Sequence, residues 1–494
     1  MAVALERLIA ATSPTEVERG APVEVEDLAY DARAVRPGSL FFCVPGGRAD
    51  GHDFAADAVA AGAVALVVER PLDLAVPQLV VPDARVAMAL AADDFFEHPT
   101  RRLQVAGVTG TNGKTTTSFV LYSVLAAAGR HPGLLGTVEC RIGGEPRPAV
   151  RTTPEAVDLQ RAFRAMLDAG DQSCVMEATS HGSELKRLHG VRFAVLVFTN
   201  LTQDHLDFHG TMERYFHAKR RLFTDVEPAP AAVVNVGDPY GRRLADELRL
   251  GGRLTTFALI EDADVRAEQL EATASGIRFT TDGLEIQSRL RGRFNVENLL
   301  AVVAAARVLG VADAAIAEGI ETAGGVPGRF EAVDEGQPFT VLVDYAHTPD
   351  SLENVLRSAR EVTANRLICV FGCGGDRDRG KRPIMGQVAR EFSDIAIVTS
   401  DNPRSEPPLT IIDEIVAGAD GLEVEADRRA AITQAIELAG AGDVVVIAGK
   451  GHEQGQEVAG RTLPFDDREV AREVLRQVFS AEPRKPKGRV YGSR

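Results

Sequence analysis

Lys114 and Thr115 carry the most explicit chemistry in the 494-residue chain. They close the run Gly110-Thr111-Asn112-Gly113-Lys114-Thr115-Thr116, where an ammonium can reach the β- and γ-phosphates of a nucleotide and a hydroxyl can take a place on Mg2+. The strict phosphate-loop spacing is missed: Val108 stands where the leading glycine belongs, and the nearby glycines are Gly107 and Gly110. The elements still come in the order that phosphate binding needs. The apolar run 103–108 reads as a buried strand and the segment after Lys114 as a helix closed by Gly129, with a loop between that can aim backbone N–H groups at a phosphate. ATP is the expected ligand of this loop.

Two further loops belong beside it. The short strand Ser173–Met176 delivers Glu177 into the polar run 178–182, and the strand Ala194–Thr199 leads into 200–210, which carries Asp204, His205, Asp207 and His209. Glu177 and His205 thus stand just past the ends of two apolar strands, as oxygen and nitrogen ligands for Mg2+–nucleotide would. In the helix that follows, Lys219, Arg220 and Arg221 read as a solvated face. Toward the C-terminus four apolar strands, 339–343, 367–371, 395–399 and 444–447, each run straight into a polar loop rich in Asp, Arg, Lys or His. Ligands of parallel sheets lie outside such carboxyl ends. A nicotinamide cofactor is disfavoured, because no glycine-rich dinucleotide fingerprint is present.

These loops imply an α/β protein of three domains. The expected units are a small N-terminal α/β domain over 1–98, a central P-loop-type ATPase domain over 99–328, and a C-terminal Rossmann-like α/β domain over 329–494. The first has candidate strands at 39–44, 63–68 and 78–81 and a helix over 84–98, and its loop 45–52 reads as a surface turn. No apolar run reaches the ~20 residues of a membrane span, and the N-terminus lacks the pattern of a signal peptide. Five scattered cysteines suggest neither a disulfide framework nor a zinc site and fit a reducing cytoplasm. A net charge of −16 argues against nucleic-acid binding. The basic tail (Arg484, Lys485, Lys487, Arg489, Arg494) reads as a disordered end, and a monomer is expected.

The ordered set Gly110–Thr116, Thr152-Thr153-Pro154, Met176–Gly182, Asn200-Leu201, Asp204–Asp207, Asn295–Asn298, Gly328–Glu331, Asp344–Asp350, Asp401-Asn402-Pro403-Arg404 and Gly449–Glu453 resembles the motifs of the Mur ligase family of ATP-dependent amino-acid-adding enzymes. The likeness covers nearly the whole chain. It implies that ATP phosphorylates the free carboxylate of UDP-N-acetylmuramoyl-L-alanyl-D-glutamate and that an amine attacks the acyl phosphate, in peptidoglycan synthesis. Among family members it is nearest those adding meso-2,6-diaminopimelate. Lysine-adding, D-alanyl-D-alanine-adding and folylpolyglutamate-type ligases are the alternatives, and a catalytically silent nucleotide-binding relative is a further one.

The resemblance also implies roles. Lys114, Glu177, His205 and Lys219 would be catalytic, with Thr115 and Glu177 on one Mg2+. His205 and a carbamylated Lys219 would serve a second. Asn298, Arg329 and Asp344 match nucleotide contacts, and Tyr30, Ala32, Thr152, Thr153, Thr179 and Arg187 match positions of the UDP-substrate site. Asp401, Asn402, Pro403 and Arg404 would form the diaminopimelate pocket with Arg377, Gly449 and Glu453. A guanidinium there can grip the distal carboxylate bidentately, which lysine does not offer. Three positions depart from the pattern: Ala32 stands for a serine, Arg151 for an asparagine and Leu185 for a glutamine.

Overall fold

The computed structural model describes residues 2–47, 49–273 and 276–479. The basic tail, and Arg48 in the loop 45–52, lie outside them. Three α/β units follow one another, each built on its own sheet. In the first, five strands lie in the order Glu16–Glu18, Gln78–Val80, Ala63–Val68, Ser39–Phe42 and Asp27–Ala29. All neighbours are parallel except the Glu16–Glu18 edge. The helix expected over 84–98 starts where Asp83 accepts from the Arg85 and Val86 N–H groups, but it ends at Phe95. His98 has left-handed backbone (φ 52°), and Pro99 opens a short 3-10 turn instead.

The central sheet has nine strands, and the phosphate-loop strand Gln104–Thr109 lies in its middle, between Ser173–Glu177 and Phe193–Phe198. Both pairings are parallel, with Glu177 opposite Val108 and Phe198 opposite Thr109. That register brings three loops to one sheet edge. Both faces are covered, which is why these strands read as continuous apolar runs. Ala106 and Val108 face a core with the helices Lys114–Ala127 and Phe294–Val308, while Val105 packs on the other side with Ala156–Asp168 and Met212–Thr224. Phe294–Val308 is apolar nearly all round because it is buried nearly all round, each fully buried Leu or Val contributing about 1.5–3 kcal/mol. The hairpin Glu139–Ile142/Glu145–Pro148 and the antiparallel strands Glu268–Thr273, Gly276–Thr281 and Leu284–Ser288 were not expected.

The C-terminal sheet has six strands. The four expected strands are present as Thr340–Asp344, Val444–Ala448, Leu367–Phe371 and Ile395–Val398, adjacent in that order and parallel. A hairpin, Gly455–Val458/Arg461–Pro464, follows them. Among the described residues no helix is long and apolar enough to cross a membrane.

Candidate active site

The phosphate loop is shaped by what surrounds it. Gly110 and Gly113 have positive φ (148° and 85°), and a Cβ on either would strike Thr199 Oγ1 or Asn298 Oδ1. The strand Phe193–Phe198 splints the loop through its exit. Thr111 N–H donates to Asn200 O (2.9 Å), Asn112 N–H to Asn200 Oδ1 (2.9 Å), and Thr199 Oγ1 to Asn112 O (2.6 Å). Lys114 Nζ folds back onto the carbonyls of Gly110 (3.0 Å) and Thr111 (2.7 Å), and burial lowers its pKa. Thr116 is buried in the first turn of the helix, and Asn298 rests on Gly113 with its Nδ2 donating to Asn295 Oδ1 (2.8 Å).

Glu177 reaches the same loop. Its side chain, 1% exposed, accepts from Thr115 Oγ1 (3.1 Å), Thr137 N–H (2.8 Å) and Thr137 Oγ1 (3.0 Å). Arg329, from the C-terminal domain, donates to Thr115 Oγ1 (3.0 Å) and stacks over Tyr345. Asp344 accepts from the N–H groups of Phe330 (2.6 Å) and Ala346 (2.7 Å), and burial pushes its pKa up to about 6. Asn112 Nδ2 donates across to Asp350 (2.6 Å), a second bond between the domains at this loop.

Lys219 corrects the reading of its helix as a solvated face: it is 1% exposed. Its Nζ donates to Gly110 O (2.7 Å) and sits over the Tyr215 ring, while burial, reinforced by Lys114, holds its pKa well below the ordinary lysine value. Burial likewise drops the His205 pKa to about 3. Its neighbour Asp204 lies within 3.3 Å of His205 Nε2 and 3.8 Å of His347 Nε2. Burial alone would raise that carboxyl, but His205, His347 and Lys381 together hold it well below the usual range.

Lys114, Glu177, His205, Lys219, Arg329 and Asp344 all line one cavity of about 650 Å3. Thr152, Thr153, Thr179, Arg151 and Arg187 line it as well. Thr152 Oγ1 lies 3.0 Å from Thr137 Oγ1, Thr153 Oγ1 donates to Glu177 O (2.8 Å), and Thr179 Oγ1 donates to Thr153 Oγ1 (3.0 Å). Arg151, Arg187 and Arg85 converge on the one carboxylate of Glu155 at 2.6, 2.8 and 3.5 Å, leaving a net positive wall. The sequence reading missed Glu155 and Arg85. Tyr30 lies apart, lining a second cavity of about 580 Å3, with its hydroxyl donating to Asp158 Oδ2 (2.5 Å). Ala32 opens the adjacent 3-10 turn and is not on that cavity's wall.

The residues expected for the amino acid cluster elsewhere, and none lines the large cavity. Asn402 Nδ2 donates to Glu453 Oε2 (2.8 Å), and the fully buried Lys450 donates to both Asn402 Oδ1 (2.9 Å) and Glu453 Oε2 (2.8 Å). Lys450 was not foreseen, although it sits inside the Gly449–Glu453 motif. Gly449 N–H donates to Asp344 O (3.1 Å), and a Cβ on Gly449 would meet Asp401 Oδ2. Pro403 O lies over Gly375, and Arg404 Nη1 donates to Gly375 O (2.8 Å). Arg377 is exposed and donates to Asp376 O (3.0 Å).

The donors suit one Mg2+ best where Thr115 and Glu177 already touch, since a buried carboxylate beside a hydroxyl is a hard-oxygen set. Among the described residues no three His, Cys, Asp or Glu side chains converge as a metal cluster.

This fold and this cavity define an ATP-dependent enzyme of the amide-ligase class. Residues 108–306 match the description "Mur ligase middle domain", 328–451 "Mur ligase, glutamate ligase domain" and 24–105 "Mur ligase family, catalytic domain". The chain belongs to the Mur ligase family. It is 50% identical over 475 residues to the UDP-N-acetylmuramoyl-L-alanyl-D-glutamate--2,6-diaminopimelate ligase of Geobacillus thermodenitrificans, covering 93% of this chain and 97% of that one. It is 49% identical to the ligase of the same name from Solibacter usitatus, covering 92% and 94%. A solved structure of a ligase of that name superposes with TM-score 0.68 at 34% identity, covering 97% of this chain and 99% of the other.

Proposed function

We propose that this chain joins meso-2,6-diaminopimelate to the D-glutamate carboxylate of UDP-N-acetylmuramoyl-L-alanyl-D-glutamate, at the expense of ATP, in peptidoglycan synthesis. The observation that carries this reading is the Thr115–Glu177 contact, which sets a phosphate loop and a buried carboxylate in one cavity that Arg151 and Arg187 also line. A carboxylate at neutral pH is a poor electrophile. Transfer of the γ-phosphoryl group to one of its oxygens gives an acyl phosphate and ADP. The amine nitrogen of diaminopimelate then attacks the acyl carbon, the C–N bond forms, the C–O bond to phosphate breaks, and the nitrogen loses its proton.

Positioning and charge do most of this work. Lys114 exchanges its loop carbonyls for phosphate oxygens, with Arg329 beside it. Asn298 and Asp344 contact the nucleotide. Thr115 and Glu177 would hold Mg2+, which would supply positive charge for the phosphoryl oxygens, and His205 and Lys219 would serve a second ion. Burial disfavours the charged form of Lys219, and its free amine would add to CO2 and lose a proton to become the carbamate that this second site would need. Thr152, Thr153, Thr179, Arg187 and Arg151 face the anionic nucleotide substrate, whose uridine end reaches toward Tyr30. Arg404 and Arg377 take the distal carboxylate of diaminopimelate. A need for ATP and a nucleotide-linked substrate supports a cytoplasmic location.

The test is purified protein with ATP, Mg2+ and UDP-muramoyl dipeptide, offered diaminopimelate or lysine, with phosphate release and product mass as readouts. One phosphate per diaminopimelate adduct is expected. Equal use of lysine, or no adduct with diaminopimelate, refutes the assignment.

A further inference from the structure

The hairpin Gly455–Val458/Arg461–Pro464 has no part in the chemistry above, yet it lies directly on the loop that carries Arg404. Gln456 Nε2 donates to Asp401 O (2.8 Å) and Glu457 N–H to Asn402 Oδ1 (3.0 Å). Arg404 N–H donates to Glu457 O (2.9 Å), and Ala459 N–H to Arg404 O (2.8 Å). Arg404 has a left-handed φ of 54°, so one strand and the turn after it hold both sides of a residue whose backbone is unfavourable by itself. The same strand supplies a charge. Glu457 Oε2 lies 2.8 Å from Arg404 Nε, with the Arg404 side chain 23% exposed and that of Glu457 51%. The guanidinium expected to grip a substrate carboxylate already faces one of the protein's own.

We propose that Glu457 is a stand-in carboxylate, which neutralises Arg404 in the empty pocket and yields to the distal carboxylate of the acceptor, thereby setting the affinity for it. This rests on the reading of Arg404 given above. A guanidinium three-quarters shielded from water has lost much of its hydration, and an unpaired one would be costly. Glu457 relieves that cost weakly, because its carboxylate is half in water and such exposed pairs contribute little. Exchanging one carboxylate for another changes no net pairing. The incoming group wins only by better geometry, two oxygens on the fork of the guanidinium. Glu457 therefore competes with the acceptor and leaves Arg404 uncharged, in effect, toward acceptors that lack a distal carboxylate.

Glu457→Gln and Glu457→Ala in the full chain test this by steady-state kinetics with thermal melts alongside. The KM for diaminopimelate should fall about two- to fivefold, the ceiling for loss of a half-exposed ion pair. The KM for ATP should be unchanged, and the KM for lysine should not fall. A raised KM for diaminopimelate would mean that Glu457 binds the distal ammonium, and would overturn the proposal. So would a lowered Tm with all KM values rising together, or no change at all. Arg404→Ala keeps the two levels apart. If it weakens diaminopimelate alone, the pocket assignment stands whatever Glu457 does; if it does not, that assignment itself fails.

Discussion

Replacing Glu177 with glutamine separates holding the fold from doing the chemistry, because the amide is isosteric and the hydrogen bonds around the carboxylate can all be kept. Oε1 accepts from Thr137 N–H and Thr115 Oγ1, while Oε2 accepts from Thr137 Oγ1. With the amide oxygen at the Oε1 position, the first two bonds survive. The amide nitrogen then faces the Thr137 hydroxyl, which can turn to accept it and donate instead to Thr152 Oγ1, 3.0 Å away. No polar group is orphaned, so the cost should stay within about 1 kcal/mol. Glu177→Ala, by contrast, strands the Thr137 N–H beside a cavity and should cost about 1–3 kcal/mol from the lost partner alone. Glutamine cannot replace the negative charge, and losing charge organisation at a transferring phosphoryl group costs ~10²–10³ in rate. Phosphate release measured across a Mg2+ titration, beside thermal melts, reads both quantities. Turnover within tenfold of wild type at an unchanged Mg2+ requirement would refute the role of this carboxylate. A melt as low as that of the alanine variant would refute the hydrogen-bond argument.

Arg404→Ala should raise the KM for diaminopimelate about ten- to a hundredfold, as loss of a shielded charge-assisted pair does, with a modest fall in Tm because Nη1 also holds Gly375 O; equal rises for every substrate would mark it as structural only. Lys219→Met should be inactive yet more stable than wild type in bicarbonate-depleted buffer. Burial makes this lysine lose its proton more readily in the folded chain than in the unfolded one, so wild-type stability rises with pH toward the ordinary lysine value, and urea melts should show the gap narrowing as pH rises. Glu297 has the opposite sign. Burial, then Glu261 and Asp238, push its pKa up to about 7, so stability is lost as pH rises from the ordinary glutamate range through that value. Glu297→Gln should melt higher than wild type at alkaline pH, by on the order of 2–3 kcal/mol at most, and match it in mild acid.

The phosphate loop was legible because its strand, turn and helix are contiguous, and local glycines decide the turn. Glu177 was legible as the last residue of an apolar run whose parallel partner carries the loop. Lys219 was legible only through resemblance. In isolation Lys219-Arg220-Arg221 has the pattern of a wet face, and its burial depends on Gly110, 109 residues earlier in the chain. The Glu155 cluster is equally non-local, since Arg85 reaches it from the N-terminal domain. The hairpin Gly276–Thr281/Leu284–Ser288 does carry a sequence signal: Ile277 and Phe279, then Leu284 and Ile286, alternate with polar residues on either side of Asp282-Gly283. The hairpin over Arg404 is polar and mostly open to water, so nothing in its composition announces that it grips a motif some fifty positions upstream.

Arg329 and Asp350 belong to the C-terminal domain, yet they bond to Thr115 and Asn112 of the phosphate loop itself. The loop is thus held by side chains of two domains. Anything that alters the separation of those domains alters the free energy of filling the loop. Reciprocity then applies: an amino acid that draws the C-terminal domain inward tightens ATP by the same factor by which ATP tightens the amino acid. The chain between the two domains passes through Gly324 and Gly325, each with open space around it, so a side chain could be added at either without a clash.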